Sequence, residues 1–92
     1  MQTVRERIAE ALKNEALDLR EISKLVGIKE RDVLDHLQHI AKSAHRKGFT
    51  MDPPHCNECG FSFRKRTRLS TPGRCPLCKG ESISPPRFHL TK

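Results

Sequence analysis

Residues 56–59 (CNEC) and 75–78 (CPLC) decide how the second half of this 92-residue chain folds. Each stretch places two cysteines three positions apart, and fifteen residues separate the two stretches. Two residues between cysteines let both sulfurs reach one ion, and two such pairs complete a tetrahedron of four thiolates. The spacing therefore predicts one metal site. Its ligands would be Cys56, Cys59, Cys75 and Cys78.

Four sulfur ligands suit zinc or a single iron ion, and we predict zinc. Because four cysteines leave no open coordination position, the zinc is predicted to be structural. Gly60 and Gly80 follow the two pairs and are expected to supply the positive φ angles that such turns require. Two disulfides are the competing interpretation of the same cysteines. His55 and His89 are expected to lie outside the ligand set.

Residues 1–47 show helical periodicity. Capping boxes in residues 3–6 (TVRE) and 18–21 (DLRE) predict two helix starts, the first helix covering about residues 3–13 and the second ending at Gly27. Apolar residues at helical spacing predict a third helix that ends at about Lys47, before Gly48. A tight turn between the second and third helices is helix-turn-helix connectivity, although a plain three-helix bundle would show the same pattern.

From Gly48 onward, apolar residues alternate instead. One short alternating run precedes Pro53-Pro54 and another follows Pro85-Pro86, and proline prevents either from continuing as a central strand. The two flanking runs are predicted to pair with each other, with the cysteine module at the tip of the hairpin. The predicted organisation is α+β: a helix-turn-helix body of residues 1–51 plus 86–92, and a metal-binding insert of residues 52–85.

The formal net charge is +7, which favours a polyanionic partner. Residues 1–47 hold ten basic and eight acidic side chains, whereas residues 48–92 hold eight and three. A zinc ion with four thiolates carries about −2, so the loaded protein is nearer +5. Before the metal centre is counted, the excess of positive charge lies mainly in the second half.

Two segments are candidates for contact with nucleic acid. The third helix would take the recognition role, although its first turns also carry acidic residues that repel phosphate, and a merely solvated helix face is the alternative. Residues 64–68 (RKRTR) place four cations on a loop between the cysteine pairs, where a solubilising loop is the alternative. The candidate contacts are Lys29, Arg31, His36, Lys42 and Arg46 on the helix, and Arg64, Lys65, Arg66 and Arg68 on the loop.

The order of these motifs resembles a family of small predicted archaeal transcriptional regulators in which a helix-turn-helix is fused to a zinc ribbon. The specific part lies in residues 55–63 (HCNECGFSF), 72–79 (PGRCPLCK) and 86–90 (PRFHL), and the resemblance spans nearly the whole chain. It implies a winged helix-turn-helix with a rubredoxin-like zinc-ribbon module inserted in the wing. It also implies the same four cysteine ligands, and recognition through the third helix.

The predicted function is a DNA-binding transcriptional regulator with one structural zinc and double-stranded DNA as partner. A protein–protein adaptor that docks on the transcription machinery is the second hypothesis, and a rubredoxin-like electron carrier is the third. No arrangement of residues typical of catalysis is present, so we expect no enzyme and no small-molecule substrate. No secretion signal or membrane span is visible, so a cytoplasmic location and no membrane partner are expected.

Overall fold

Three helices precede two small antiparallel sheets in the computed structural model, which describes residues 3–44, 48–66 and 68–91 without the side chains of residues 43 and 44. The α+β class predicted from the sequence is confirmed. The elements are α1 (Val4–Asn14), α2 (Leu19–Val26), α3 (Glu30–Ala44), β1 (Phe49–Asp52), β2 (His55–Cys56), β3 (Ile83–Ser84) and β4 (Arg87–Leu90).

Both predicted capping boxes are confirmed. The Thr3 hydroxyl accepts the Glu6 N–H at 3.1 Å, and the Glu6 carboxylate accepts the Thr3 N–H at 3.1 Å. At the start of α2, the Asp18 carboxylate accepts the Glu21 N–H at 2.8 Å and the Glu21 carboxylate accepts the Asp18 N–H at 3.0 Å. Each pair satisfies two backbone donors that a helix start leaves without partners, which fixes where the two helices begin.

Two hydrogen bonds, both involving Ser23, close the turn between α2 and α3. Gly27 ends α2 with a left-handed backbone (φ 72°), as predicted, and donates its N–H to the Ser23 carbonyl at 2.9 Å. The Ser23 hydroxyl in turn donates to the Ile28 carbonyl. The helix α3 begins at Glu30, two residues later. The predicted end of this helix near residue 47 lies outside the described residues.

The two sheets form one interrupted hairpin. Strand β1 pairs with β4, Phe49 opposite Leu90, and this confirms that the strands flanking the cysteine module pair with each other. Strand β2 pairs with β3, Cys56 opposite Ile83. Prolines separate the two pairings on both sides of the hairpin, and Pro54 and Pro86 are buried. Since proline lacks the N–H that a ladder needs, it divides the hairpin into a basal and a distal sheet.

The core forms between the three helices and β4. Phe88 is fully buried at its centre and stacks on Phe49, with ring centroids 6.1 Å apart. Truncation of a buried Phe to Ala costs about 3–5 kcal/mol, so Phe88 is one of the residues on which the body depends most. The other buried members are Ile8, Leu12, Leu17, Leu19, Ile22, Val26, Val33, Leu37, Ile40 and Leu90.

Leu17 adds a third strand-like segment beside β4. Its N–H donates to the Phe88 carbonyl at 3.0 Å, and the Phe88 N–H donates to the Leu17 carbonyl at 2.7 Å. The connection between α1 and α2 is therefore attached to the sheet as well as to the helices. Among the helices in the described part of the chain, none is both long and apolar enough to cross a membrane.

Candidate metal centre and basic surface

The sulfur atoms of the four predicted ligands converge at the distal end of the hairpin. They all lie within 4.8 Å of one another, and the Cys56–Cys78 and Cys59–Cys75 sulfurs are each 3.5 Å apart. Four sulfurs at about 2.3 Å from one ion would be separated by roughly 3.8 Å, so this spacing fits a tetrahedral zinc site. A disulfide requires about 2.05 Å, and all four cysteines are unbridged.

An equivalent pair of backbone hydrogen bonds shapes the turn, here called a knuckle, around each cysteine pair. In the first knuckle, the Cys56 carbonyl accepts the Gly60 N–H at 3.0 Å and the Cys56 N–H donates to the Phe61 carbonyl at 2.8 Å. In the second, the Cys75 carbonyl accepts the N–H of residue 79 at 3.0 Å and the Cys75 N–H donates to the Gly80 carbonyl at 2.8 Å. The repeated turn brings both sulfurs of each pair to the same side, which is the property the C-x2-C spacing predicted.

The prediction for Gly60 is confirmed, but the prediction for Gly80 is wrong. Gly60 has a φ of 81°, whereas the left-handed residue of the second knuckle is Lys79, with a φ of 65°. Gly80 lies in a crowded position instead. A Cβ at Gly80 would collide with the Glu58 carboxylate, which ends an exposed, flexible side chain and can move aside, and would lie 3.2 Å from the Cys78 sulfur. The tight contact with the Cys78 sulfur of its own knuckle is therefore the main obstacle to a side chain at residue 80.

The thiols do not ionise independently. Burial raises the pKa of the Cys75 thiol, but hydrogen bonds from backbone N–H groups of its own knuckle outweigh burial and lower that pKa to about 7. The Gly80 N–H lowers the pKa of Cys78, yet the neighbouring sulfurs and desolvation raise it to about 12. The Phe61 N–H lowers the pKa of Cys59, but burial and the Cys75 sulfur leave it raised. A divalent cation is what would hold all four as thiolates together.

The centre is half exposed. Cys56 and Cys75, the first cysteine of each pair, are buried, while Cys59 and Cys78 are exposed. Because all four ligands come from the chain, a bound zinc would have no open position for a substrate and would supply cross-linking rather than chemistry. Of the described His, Cys, Asp and Glu residues, only these four cysteines group as metal ligands, so His55 lies outside the set, as expected.

Asn57 supports the centre in a way the sequence did not reveal. Its backbone N–H donates to the Ser82 carbonyl at 2.9 Å, and its side chain bonds the hydroxyls of Ser82 and Ser84 at 3.3 and 2.7 Å. These contacts attach the first knuckle to β3. The sequence does show a C-x2-C motif and, further along, an S-x-S segment. It does not show that Asn57 and Ser82, 25 positions apart, contact each other.

The contacts predicted on the third helix occupy different environments. Lys29, which precedes α3, and Arg31 and Lys42, which lie on it, are exposed. His36 is half-buried, and its Nδ1 accepts the Arg5 Nε–H at 3.3 Å, so its ring faces α1. Arg46 lies outside the described residues. The start of α3 also exposes three carboxylates, those of Glu30, Asp32 and Asp35.

The basic loop, defined here as residues 64–66 and 68–70, begins with a tight turn in which the Arg66 N–H donates to the Phe63 carbonyl at 3.1 Å. Arg64, Lys65 and Arg68 are exposed. Arg66 is half-buried, and its guanidinium donates to the carbonyl and the hydroxyl of Ser70, each at 3.2 Å. Three of the four predicted cations are therefore exposed, and the fourth, Arg66, is bonded within the loop.

Comparisons with known proteins agree with this architecture. A family model described as PF0610-like, N-terminal, matches residues 3–51, and a second, described as the PF0610 rubredoxin-like zinc beta-ribbon domain, matches residues 53–92. Among curated proteins, none matches this chain. The solution NMR structure of protein PF0610 from Pyrococcus furiosus is similar, with 33% sequence identity and a TM-score of 0.78, over 97% of this chain and 89% of that one.

The zinc ribbon that the second family model describes coincides with the four converging cysteines, which fit one structural zinc ion. The similarity to an archaeal protein accords with the archaeal resemblance noted in the sequence. The chain belongs to the PF0610-like family, with a rubredoxin-like zinc β-ribbon in its second half.

Proposed function

We propose that this protein is a non-enzymatic, DNA-binding transcriptional regulator, with a winged helix-turn-helix body and a zinc ribbon inserted in its wing. The body would comprise residues 1–51 plus 86–92 and the insert residues 52–85. The observation that carries the proposal is the connectivity of the helical half. A closed turn joins α2 to α3, and a paired β1–β4 hairpin stands beside them.

The order of elements supports the winged-helix interpretation. In that fold, a short strand between the first two helices pairs with a hairpin that follows the third helix. Here the Leu17–Phe88 bridge occupies the place of the first strand, and β1 and β4 occupy the places of the hairpin strands. A plain three-helix bundle would need neither pairing. The distal hairpin then corresponds to the wing, and the cysteine module replaces its tip.

The distribution of charge supports a polyanionic partner. Arg64, Lys65 and Arg68 are exposed within one short loop. The knuckles on either side of this loop are joined by the metal centre, which limits the positions the loop can take. Lysine and arginine side chains that neutralise phosphates release counterions, so binding through this loop should weaken steeply as salt is added.

The experiment is a titration of a fluorescent 20-base-pair duplex with the zinc-loaded protein at several salt concentrations. Reversal of charge at Arg64, Lys65 and Arg68 should abolish measurable binding. The same reversal at Arg7, Lys13 and Arg20, which are exposed on α1 and α2, changes the net charge equally and should weaken binding much less. No binding at low salt, or equal losses in both variants, would remove the proposed DNA surface.

A protein–protein adaptor is the second candidate function, and two observations favour it. Three exposed carboxylates occupy the first two turns of α3, where a recognition helix usually contacts bases. Leu77, in the second knuckle, is 69% exposed, more than any other large apolar side chain among the described residues. A partner from the transcription machinery would then bind the knuckle, and Leu77→Ser would weaken that complex while duplex binding stayed unchanged.

The electron-carrier hypothesis is the least supported, because the matching family model describes a zinc ribbon. It would require iron at the four cysteines, and an iron–thiolate centre is coloured. A colourless protein that contains one zinc per chain by elemental analysis would exclude it for the purified material.

A further inference from the structure

Arg66 differs from the other cations of the basic loop because its guanidinium is bonded to another residue of the same loop. Its Nε–H donates to the Ser70 carbonyl and its Nη2 to the Ser70 hydroxyl, each at 3.2 Å. A planar guanidinium reaches two acceptors in fixed directions, which a lysine ammonium cannot reproduce. The Arg66 side chain therefore links the middle of the loop to its last residue, Ser70, and the N–H groups that bond Ser70 are occupied within the loop.

Leu69 attaches the same loop to the helical body. It is a half-buried apolar residue packed against the core cluster, and it lies beside the C-terminal half of α3. A groove of about 300 Å³ separates the loop from the helix there. The groove is lined by Leu69 together with Gln38, His39, Ala41 and Lys42. The loop thus has an internal tie at Arg66 and an apolar contact with the body at Leu69.

The distribution of charge along α3 distinguishes its two ends. The N-terminal half exposes Glu30, Asp32 and Asp35, which repel phosphate, whereas the half that borders the groove presents Gln38, His39 and Lys42. Arg64, Lys65 and Arg68 are exposed on the same loop as Leu69, which lines the groove. A phosphate backbone would therefore meet fewer repelling groups at this end of α3.

We propose that Arg66 and Leu69 are positioning residues, which hold the basic loop against the C-terminal half of α3 so that both contact the same stretch of duplex phosphate backbone. This inference rests on the proposed DNA-binding function. Arg66 and Leu69 act before the partner arrives: a loop already fixed in its binding position loses less conformational freedom on association than a loop that must be ordered.

Two variants separate positioning from direct contact. Arg66→Lys keeps the charge but loses the two-pronged bond to Ser70, and we expect it to weaken binding of a 20-base-pair duplex about five- to tenfold. The slope of log affinity against log salt should stay unchanged, because no phosphate contact is lost. Arg64→Ala, in contrast, removes a contact and should reduce the magnitude of that slope by about one.

The matched control is Arg74→Lys. Arg74 lies in the same insert and is exposed, with only a 3.9 Å ion pair to Glu81. The substitution is chemically the same as Arg66→Lys, so duplex affinity should remain within about twofold. Ser70→Ala removes the hydroxyl acceptor of Arg66, and Leu69→Ala removes the apolar contact with the body. Both should weaken binding without a change in slope, and ¹⁵N–¹H spectra should show zinc-loaded, folded protein in each variant.

A second measurement does not depend on DNA. Heteronuclear ¹⁵N relaxation of the free protein should show the amides of Arg64, Lys65 and Ser70 as rigid as those of β2, and more mobile in Arg66→Lys and Leu69→Ala. If wild-type protein fails to bind duplex while these variants loosen the loop, the DNA-binding function is wrong and the positioning role of the two residues survives. If Arg66→Lys binds like wild type, or its loop stays rigid, or its salt slope falls, the positioning role is overturned.

Discussion

Gly60 and Lys79 occupy equivalent positions in the two knuckles. Each has a left-handed backbone, with φ angles of 81° and 65°, and each donates its N–H at 3.0 Å to the carbonyl of the first cysteine of its pair. Glycine adopts this conformation freely, whereas a residue with a Cβ does so at a cost of roughly 1–2 kcal/mol. The two knuckles therefore have the same geometry, but only the second carries backbone strain, at Lys79.

Lys79→Gly should stabilise the zinc-loaded protein. Relief of the left-handed strain outweighs the extra freedom that glycine gives the unfolded chain, about 0.5–1 kcal/mol, so we expect a net gain of about 0.5–1 kcal/mol. Chemical denaturation at saturating zinc measures it. Lys79→Asn tolerates the same conformation and serves as a comparison that keeps a side chain. An unchanged or lower unfolding free energy in both variants would contradict the assignment of strain to residue 79.

Gly60→Ala should destabilise the protein by about 1 kcal/mol, purely through the backbone. A Cβ there would meet nothing within 4 Å, so no collision contributes. Gly73→Ala is the matched control, because its Cβ also meets nothing and its φ lies outside the left-handed region. That substitution should be neutral or slightly stabilising. Equal effects of the two substitutions on the denaturation midpoint would show that φ at residue 60 does not matter.

Removal of the metal should unfold the insert but leave the helices. Structural zinc contributes about 10–16 kcal/mol of apparent binding free energy in such modules. The residues that build the buried core of the body come from the helices, Leu17 and β4. Among the described hydrophobic residues of the insert, Leu69 is the one that packs against them. With a chelator, amide signals of residues 55–84 should collapse while the helical circular dichroism persists. Signals from the insert that survive chelation, or helices that melt with it, would argue against this division.

Arg87 should matter to stability far more than Arg74. Arg87 donates to the Ala16 carbonyl at 2.7 Å and lies 3.4 Å from the Glu21 carboxylate, so it joins β4 to the α1–α2 connection. The arginine side chain is about half exposed, which limits the ion pair, and we expect Arg87→Ala to cost about 1–2 kcal/mol, mainly through the carbonyl bond. Arg74→Ala removes only an exposed 3.9 Å pair and should cost less than about 0.5 kcal/mol.

The α1 capping box should give a defined response to pH. The Thr3 N–H, and then the Thr3 hydroxyl, hold the pKa of the Glu6 carboxyl below its usual 4.5. A lowered pKa in the folded state means that the stabilisation is complete above about pH 4.5 and is lost as pH falls through the lower, folded value. Carboxyl ¹³C titration should show this, and Thr3→Ala should move the Glu6 pKa back toward 4.5. A Glu6 that titrates normally in wild-type protein would refute the cap.

Local signals predicted the parts of this fold that depend on neighbours in sequence. The capping boxes at Thr3 and Asp18, the left-handed Gly27 and the metal ligands each follow from residues within one turn or one knuckle. Apart from the left-handed residue of the second knuckle, the parts that were missed depend on distant segments. The Leu17–Phe88 pairing joins residues 71 positions apart and has no periodicity to reveal it. The resemblance to a known family, and not the residue pattern, supplied the winged-helix interpretation.

The same distinction applies to the site. Four cysteines at C-x2-C spacing specified the four ligands of the metal centre, because ligand chemistry constrains residue type and spacing together. The run of charged residues at 64–68 predicted a basic loop, but it did not predict the directions of the side chains. Arg66 turns toward Ser70, and His36 accepts a hydrogen bond from Arg5, because of packing that composition does not record. Whether His36, Arg66 and the exposed cations contact phosphate stays a prediction.

The most direct test of the proposed function is titration of the ¹⁵N-labelled, zinc-loaded protein with duplex DNA at low and at moderate salt. We predict that amide signals of the basic loop and of the α3 residues that line the groove shift together at low salt, and that the shifts shrink strongly when salt is raised. Signals near Leu77 should remain in place. An absence of shifts at low salt, or shifts confined to the second knuckle, would contradict the account and favour the adaptor function instead.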